Sequence, residues 1–176
     1  MNWERRLKAI RRAPLFGDAV DLSMADEFQR PEATVKELLP HRGPMLLIDE
    51  IEGWSRETRR LVASREINAA HIGLEGHFPG DPILPGVLMI EMMGQAGVAL
   101  FQLLLRDEGL ASEKPLTVRA TKIFGAHFLR PIRPGMKAQI LAEALEWDSF
   151  LGECQAQIIV AGEVAAVMAG EVLVDG

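Results

Sequence analysis

One segment of the chain contains almost no polar side chains. Between residues 86 and 105 the polar side chains are Glu91, Gln95 and Gln102. Pro85, which precedes the segment, suits the start of a helix because the N–H that proline lacks is not needed there. A helix that is apolar on all sides has to be enclosed by the rest of its protein. The pattern therefore predicts a long, buried central helix.

Most of the remaining chain shows the patterns of β-strands. In one such segment Leu61 and Ala63 fall on one face of an extended chain, and Val62 falls on the other. Turn-forming pairs such as Pro134-Gly135 separate the segments. One long helix and about six strands predict an α+β fold in which a curled antiparallel sheet surrounds the helix. Strands are predicted at residues 45–54, 59–67, 116–128, 136–147, 152–160 and 164–174.

The start of the chain differs from the rest. Residues 1–34 are predicted to be a partly helical N-terminal arm, followed by one domain over residues 35–176. Residues 2–13 have apolar residues on one side of a helix and arginines on the other, which is typical of an amphipathic helix. The apolar residues of that helix are Trp3, Leu7 and Ile10.

Composition restricts the functional classes. A chain of 176 residues is long enough for one domain with its own core. Its single cysteine, Cys154, cannot form a disulfide within the chain, and no apolar signal core follows the basic start, so a cytoplasmic location is expected. A net charge of −6 argues against nucleic acid as a partner. The apolar segment is long enough to span a membrane, but Glu91 would lie near its centre, so no span is expected.

A rigid loop precedes the predicted helix and carries a histidine. Prolines and glycines recur through residues 76–86 and restrict the backbone. His77 lies in this loop, which leads into the positive end of the helix, and Glu91 lies about a turn and a half inside it. Taken singly, each has a structural explanation: a turn hydrogen bond for His77 and an ion pair for Glu91. Their combination in one segment favours a catalytic site.

Three motifs follow one another along the chain. They are Leu39-Pro40-His41-Arg42-Gly43-Pro44-Met45-Leu46-Leu47-Ile48-Asp49, then Gly76-His77-Phe78-Pro79-Gly80 with Pro85-Gly86-Val87-Leu88 and Glu91-Met92-Met93-Gly94-Gln95, then Phe128-Leu129-Arg130-Pro131-Ile132-Arg133-Pro134-Gly135. In this order they resemble the motifs of the 3-hydroxyacyl-acyl-carrier-protein dehydratases. The resemblance covers roughly residues 38–174 and implies a hotdog fold. It matches His41 to a histidine of the family's first motif, and for this residue a turn hydrogen bond is expected.

The resemblance implies that the chain removes water from 3-hydroxyacyl thioesters. His77 is expected to take the proton from C2, since imidazole titrates near neutral pH, and Glu91 to assist the departure of the hydroxyl as water. Backbone N–H groups at the start of the helix are expected to hold the thioester carbonyl oxygen. This chemistry requires no metal and no organic cofactor, and the four histidines lack the spacing of a structural zinc site. The predicted substrate-binding residues are Gly86, Val87, Phe78 and Gln95.

The resemblance also implies two partners. The chain is expected to form at least a homodimer, or a trimer of dimers, in which His77 of one subunit meets Glu91 of another. The substrate is expected to arrive on an acidic acyl carrier protein, docked by basic residues around the Pro134-Gly135 turn. Scattered solubilising charges are the alternative explanation for these residues. The predicted docking residues are Arg130, Arg133 and Lys137.

Two other functions are compatible with the sequence. A hotdog thioesterase would hydrolyse the same class of thioester, and a non-catalytic acyl-binding or assembly subunit would need neither His77 nor Glu91. Within the dehydratases, the branch that also isomerises the trans-2 double bond to cis-3 has aspartate where this chain has Glu91. We therefore expect dehydration without isomerisation, although Gly80-Asp81-Pro82 resembles the isomerising branch.

Overall fold

The structure is a computed structural model that describes residues 2–17, 28–70, 73–110, 114–115, 117–148 and 150–175. One long helix crosses the middle of the fold, and six strands form a single sheet around it. The helices are α1 (Trp3–Ile10), α2 (Val35–Leu38), α3 (Leu74–His77) and α4 (Gly86–Asp107). The strands are β1 (Glu50–Ser55), β2 (Arg60–Glu66), β3 (Thr117–Phe128), β4 (Lys137–Trp147), β5 (Leu151–Val160) and β6 (Glu163–Asp175).

The sheet is antiparallel throughout, and its strands are ordered β1-β2-β4-β5-β6-β3. Helix α4 packs on one face, against β4 and β5 at the centre and also against β2, β3 and β6. Met92, Met93 and Leu100 of the helix are fully buried in this contact. The predicted architecture, a curled antiparallel sheet around a long central helix, is therefore confirmed.

Helix α4 is closely enclosed. By length and composition it could cross a membrane, but 72% of its most apolar 18-residue stretch is buried inside the protein. Two glycines allow it to approach strand β5. A Cβ atom on Gly97 would lie 2.8 Å from Cys154 Sγ, and one on Gly152 would lie 2.6 Å from the Phe101 ring. The helix and the sheet therefore touch at positions where a larger residue would force them apart.

Strand β1 begins later than the sequence predicts. The predicted strand at residues 45–54 is wrong at its start, because Gly43–Met45 forms a 3-10 turn and β1 begins at Glu50. Between them, Leu47 N–H donates to the side-chain Oε1 of Gln95 at 2.9 Å, and Asp49 N–H donates to Ser64 O of β2 at 2.9 Å. The other five strands agree with prediction to within about one residue at either end.

Helix α1 covers the outer face of the sheet, opposite α4. Leu7 and Ile10 are buried against apolar side chains of β2, β4, β5 and β6, and the Trp3 ring stacks on Phe124 of β3 at 4.2 Å. The segment after α1 is tied to the sheet by Gln157, which accepts from Leu15 N–H at 2.7 Å and donates to Ile10 O and Ala13 O. The amphipathic helix predicted within residues 2–13 thus buries its apolar side on a second core.

The buried thiol of Cys154 leads to a prediction about stability. Burial raises the pKa of Cys154 to about 12, whereas an unfolded thiol ionises near its ordinary value of 9.0. Between about pH 9 and about pH 12 the unfolded chain releases this proton and the folded chain keeps it, so stability present below that range is lost as pH rises, by at most about 1.4 kcal/mol per pH unit.

We expect the free energy of urea unfolding to fall more steeply with pH in the wild type than in Cys154→Ala, measured between about pH 8 and about pH 10.5. Lysine titration contributes equally to both proteins, and the chain contains no tyrosine. Parallel pH profiles for the two proteins would contradict the prediction.

Candidate active site

His77 is the last residue of α3, and its ring is oriented by the loop that follows. Its Nδ1 lies 2.8 Å from the carbonyl oxygen of Ile83. A carbonyl oxygen only accepts hydrogen bonds, so Nδ1 carries the hydrogen in this contact. The other nitrogen, Nε2, is then unprotonated in the neutral ring and able to take a proton from a substrate. The sequence predicts a loop at this position, and the structure instead has one helical turn.

The His77 ring lines a cavity of about 320 Å³ at the start of α4. Gly86 and Met89 of α4 line it, together with Phe128 at the end of β3 and residues 129–131 that follow the strand. A Cβ atom on Gly86 would lie 2.8 Å from the Phe128 ring, so the ring lies directly over the helix N-terminus. The glycine therefore allows the Phe128 ring to pack against the backbone of the first helical turn.

The first N–H groups of α4 are available to a ligand in this cavity region. Pro85 is the N-cap, and its carbonyl accepts from Leu88 and Met89 at 3.0 and 3.1 Å. Within the described residues, the N–H groups of Gly86 and Val87 have no acceptor. Unpaired N–H groups at the positive end of a helix favour a partly negative oxygen.

Two predicted substrate-binding side chains lie at the surface near this helix end. The Val87 side chain is 72% exposed and Phe78 is 51% exposed. The Phe78 ring lies 4.2 Å from the His77 ring, centroid to centroid. Phe78 therefore lies at the surface directly beside the candidate base.

Glu91 is held by a neighbour one helical turn further along α4. Its Oε1 accepts from Gln95 Nε2 at 2.8 Å. Gln95 Nε2 also donates to Met45 O at 2.7 Å, and Gln95 Oε1 accepts from Leu47 N–H at 2.9 Å. The Gln95 side chain is buried and both of its N–H bonds are used by protein groups. It therefore orients Glu91 and joins α4 to the segment before β1, and direct contact with a substrate stays a prediction.

His41 lies beside Glu91 and Gln95, a contact that the sequence did not predict. Its Nε2 lies 3.3 Å from Glu91 Oε1, in place of the predicted turn hydrogen bond. Its Nδ1 is buried and has no hydrogen-bond partner among the described residues. The turn is held instead by the Arg42 guanidinium, which donates to the carbonyls of Lys36, Leu39 and His41. The place of His41 in the first motif is the sequence signal that points to this role.

Within one chain, His77 and Glu91 line different cavities. The cavity beside Glu91 measures about 70 Å³ and runs between α4 and the sheet, past Gly94, Gly97 and Phe101. Its lining is mostly apolar, with Cys154 on the sheet side. The Glu91 side chain is 35% exposed, so its carboxylate is not removed from solvent in a single chain.

The three predicted docking cations each lie against a carboxylate. Arg130 pairs with Glu163 at 2.7 Å, and Lys137 pairs with Glu52 at 2.7 Å. Arg133 pairs with Asp81, and this hydrogen bond lowers the pKa of that carboxyl. The positive charge of these residues is therefore locally balanced.

In the part of the chain that the structure describes, no three His, Cys, Asp or Glu side chains converge where a metal ion could bind. His71, one of the four histidines considered for a zinc site, lies outside the described residues.

A family model described as the FabA-like domain matches residues 39–175. The chain belongs to this family. A FabA-like relative from Chlamydia trachomatis serovar L2, named 3-hydroxyacyl-[acyl-carrier-protein] dehydratase FabZ, is 34% identical over 132 residues, which cover 75% of this chain and 84% of the relative. A relative of the same name from Koribacter versatilis is 32% identical over 143 residues, covering 81% and 88%.

Solved structures show the same hotdog fold. A chain of the dehydratase heterocomplex ApeI:P from Xenorhabdus doucetiae superposes with a TM-score of 0.69 at 19% identity, covering 83% of this chain and 93% of that one. A hypothetical thioesterase protein from Streptococcus pneumoniae, in a structure with coenzyme A, gives a TM-score of 0.53 at 13% identity, covering 72% and 85%. At these identities the likeness concerns the fold alone. Helix α1 precedes the residues that the FabA-like model matches.

The position of Gln95 predicts a specific defect. Gln95→Leu leaves Met45 O and Leu47 N–H without their partner, at a cost of about 1–3 kcal/mol for each buried group. It also removes the donor that orients Glu91, so we expect turnover to fall about tenfold or more. Urea unfolding and kcat on a 3-hydroxyacyl thioester measure the two effects.

Gln102→Leu is the matched control. Gln102 is buried further along the same helix, and its Nε2 donates to Lys114 O at 3.0 Å. Its loss is expected to reduce stability but to leave kcat within about twofold, since Glu91 is not among its contacts. An equal fall in kcat for both variants would show that Gln95 does not act through Glu91.

Proposed function

We propose that this chain is a 3-hydroxyacyl-acyl-carrier-protein dehydratase that converts 3-hydroxyacyl thioesters to trans-2-enoyl thioesters in fatty-acid or related acyl-chain synthesis. The names of its FabA-like relatives support this reaction. The observation that carries it is the position of His77, whose Nδ1 is held by Ile83 O beside a helix end with unpaired N–H groups. A base beside donors for an oxyanion is the arrangement that this elimination needs.

The reaction proceeds by removal of one proton and one hydroxyl. The thioester carbonyl oxygen accepts from the N–H groups of Gly86 and Val87, which makes the C2 proton more acidic. His77 Nε2 takes that proton, and the electron pair of the C2–H bond forms the C2–C3 double bond. Glu91 donates a proton to the C3 hydroxyl, which leaves as water. No cofactor takes part in these steps.

Two subunits are needed to assemble this site. His77 and Glu91 line different cavities of one chain, and Glu91 is partly exposed. Strand β3 is an edge strand that pairs with β6 and has exposed apolar side chains, including Ile123 at 44% and Phe128 at 50%. Edge strands of this kind are normally covered. A homodimer formed across this face brings His77 of one subunit to Glu91 of the other.

The competing functions predict different products. A thioesterase releases a free thiol from the carrier, whereas the dehydratase leaves the acyl chain attached and lighter by one water. A non-catalytic subunit changes nothing. Mass spectrometry of 3-hydroxyacyl carrier protein after incubation distinguishes the three, and release of free thiol without enoyl product would overturn the proposal.

The shared site predicts complementation between two inactive variants. His77→Asn and Glu91→Gln keep similar side-chain volumes, and each is expected to lower dehydration by about two to four orders of magnitude as a homodimer. In a heterodimer of the two variants one site contains both substitutions and the other contains neither. Heterodimers purified through two different tags should therefore recover about half of the wild-type turnover per dimer.

Differential scanning fluorimetry of all three dimers serves as the control for folding. An inactive heterodimer would place both residues in the site of a single chain. Near-normal turnover of Glu91→Gln alone would leave Glu91 with a structural role.

The length of the Glu91 side chain predicts a single product. Its carboxylate lies one methylene further from the backbone than the aspartate of the isomerising branch, and a displacement of about an ångström can lower a rate by about a hundredfold. We expect trans-2-enoyl product without cis-3 isomer. Gas chromatography of the released acyl chains measures the ratio, and accumulation of cis-3 product would contradict this assignment.

A further inference from the structure

A second cavity adjoins the His77 cavity on the outer side of the sheet. It measures about 530 Å³ and lies between the segment after α1 and the turn that joins β5 to β6. Leu129 and Arg130 line both this cavity and the one that contains His77. The segment after α1 contributes Arg11 and Arg12. The N-terminal arm therefore reaches the mouth of the proposed active site.

This second cavity carries an excess of positive charge. Within the described residues, the guanidinium groups of Arg11 and Arg12 have no carboxylate partner. Arg130 is paired with Glu163, and both line the cavity. Three cations and one carboxylate leave the cavity positive in a chain whose net charge is −6. Arg133 and Lys137, like Arg130, are balanced by their own acidic neighbours, so the excess comes from Arg11 and Arg12.

The two unpaired arginines stand on a fixed backbone. Gln157 is fully buried on β5 and bonds to Ile10 O, Ala13 O and Leu15 N, on both sides of the arginine pair. Arg11 N–H donates to Leu7 O and Arg12 N–H to Ala9 O. Charges held in place before binding lose less conformational entropy when a partner arrives.

We propose that Arg11, Arg12 and Arg130 form a docking surface for the acidic acyl carrier protein. This inference rests on the proposed function, in which the carrier must bring its thioester to His77. Arginine is suited to the carboxylate and phosphate groups of such a partner because its planar guanidinium binds them in pairs of hydrogen bonds. A membrane surface fits less well, because Leu7 and Ile10 of α1 are buried against the sheet and leave no apolar side to insert.

The test compares two double variants that remove equal charge from the same arm. Arg11→Gln/Arg12→Gln removes the cations of the cavity, and Arg5→Gln/Lys8→Gln removes two that lie outside it. For each, kcat/KM is measured on a 3-hydroxyacyl chain attached to the carrier protein and on the same chain attached to N-acetylcysteamine. We expect kcat/KM on the carrier-bound substrate, divided by kcat/KM on the N-acetylcysteamine substrate, to fall about tenfold in Arg11→Gln/Arg12→Gln. In Arg5→Gln/Lys8→Gln this ratio should stay at the wild-type value.

Direct binding provides a readout that does not depend on turnover. The Kd of fluorescently labelled carrier protein, measured by anisotropy, should rise by the same factor in Arg11→Gln/Arg12→Gln, and its dependence on salt should become weaker. Equal Kd values for the two double variants, or an equal loss on both substrates, would overturn the docking surface. If the wild type binds carrier through the arginines but forms no enoyl product, the proposed reaction fails and the docking surface stands.

Discussion

The structure depends on the enclosure of one apolar helix by a curled sheet. Burial of α4 removes the side chains of Gln95 and Gln102 from water, and each must then bond to another part of the protein. Gln95 bonds to the backbone of the segment before β1, and Gln102 bonds to the carbonyl of Lys114 at the other end of the helix. The polar residues of the helix thus attach the loops that surround it. Gln95 also donates to Glu91, so the residue that attaches this loop to the helix orients the proposed acid as well.

The proposed base, His77, and the proposed acid, Glu91, are positioned by different kinds of contact. His77 is oriented by backbone, through the Ile83 carbonyl in a loop made stiff by proline and glycine. Glu91 is oriented by side chains, Gln95 and His41, on and beside a buried helix. The two groups face separate cavities in one chain. In the proposed homodimer, the geometry between subunits must therefore be as well defined as the placement of each group within its own subunit.

Features that depend on local periodicity were predictable from the sequence. Helix α4, the last five strands and the apolar side of α1 all follow from the spacing of apolar residues over short stretches. Features that depend on distant contacts were not. β1 begins later than predicted, after a segment in which Leu47 N–H bonds to Gln95, 48 residues away. The ion pairs of the predicted docking cations, such as Arg130 with Glu163, likewise join residues that no local pattern relates.

Helix α1 covers the outer face of the sheet, and Gln157 holds the segment that follows it. This arrangement also limits how copies of the protein can pack against each other. A bare outer face would allow two sheets to pack back to back through their apolar residues. Here that apolar surface is already occupied by Leu7 and Ile10, and a stacking partner would first have to displace the arm and break its bonds to Gln157. Back-to-back packing of two sheets is therefore blocked, and the sheet edges and loops are left for contacts between copies.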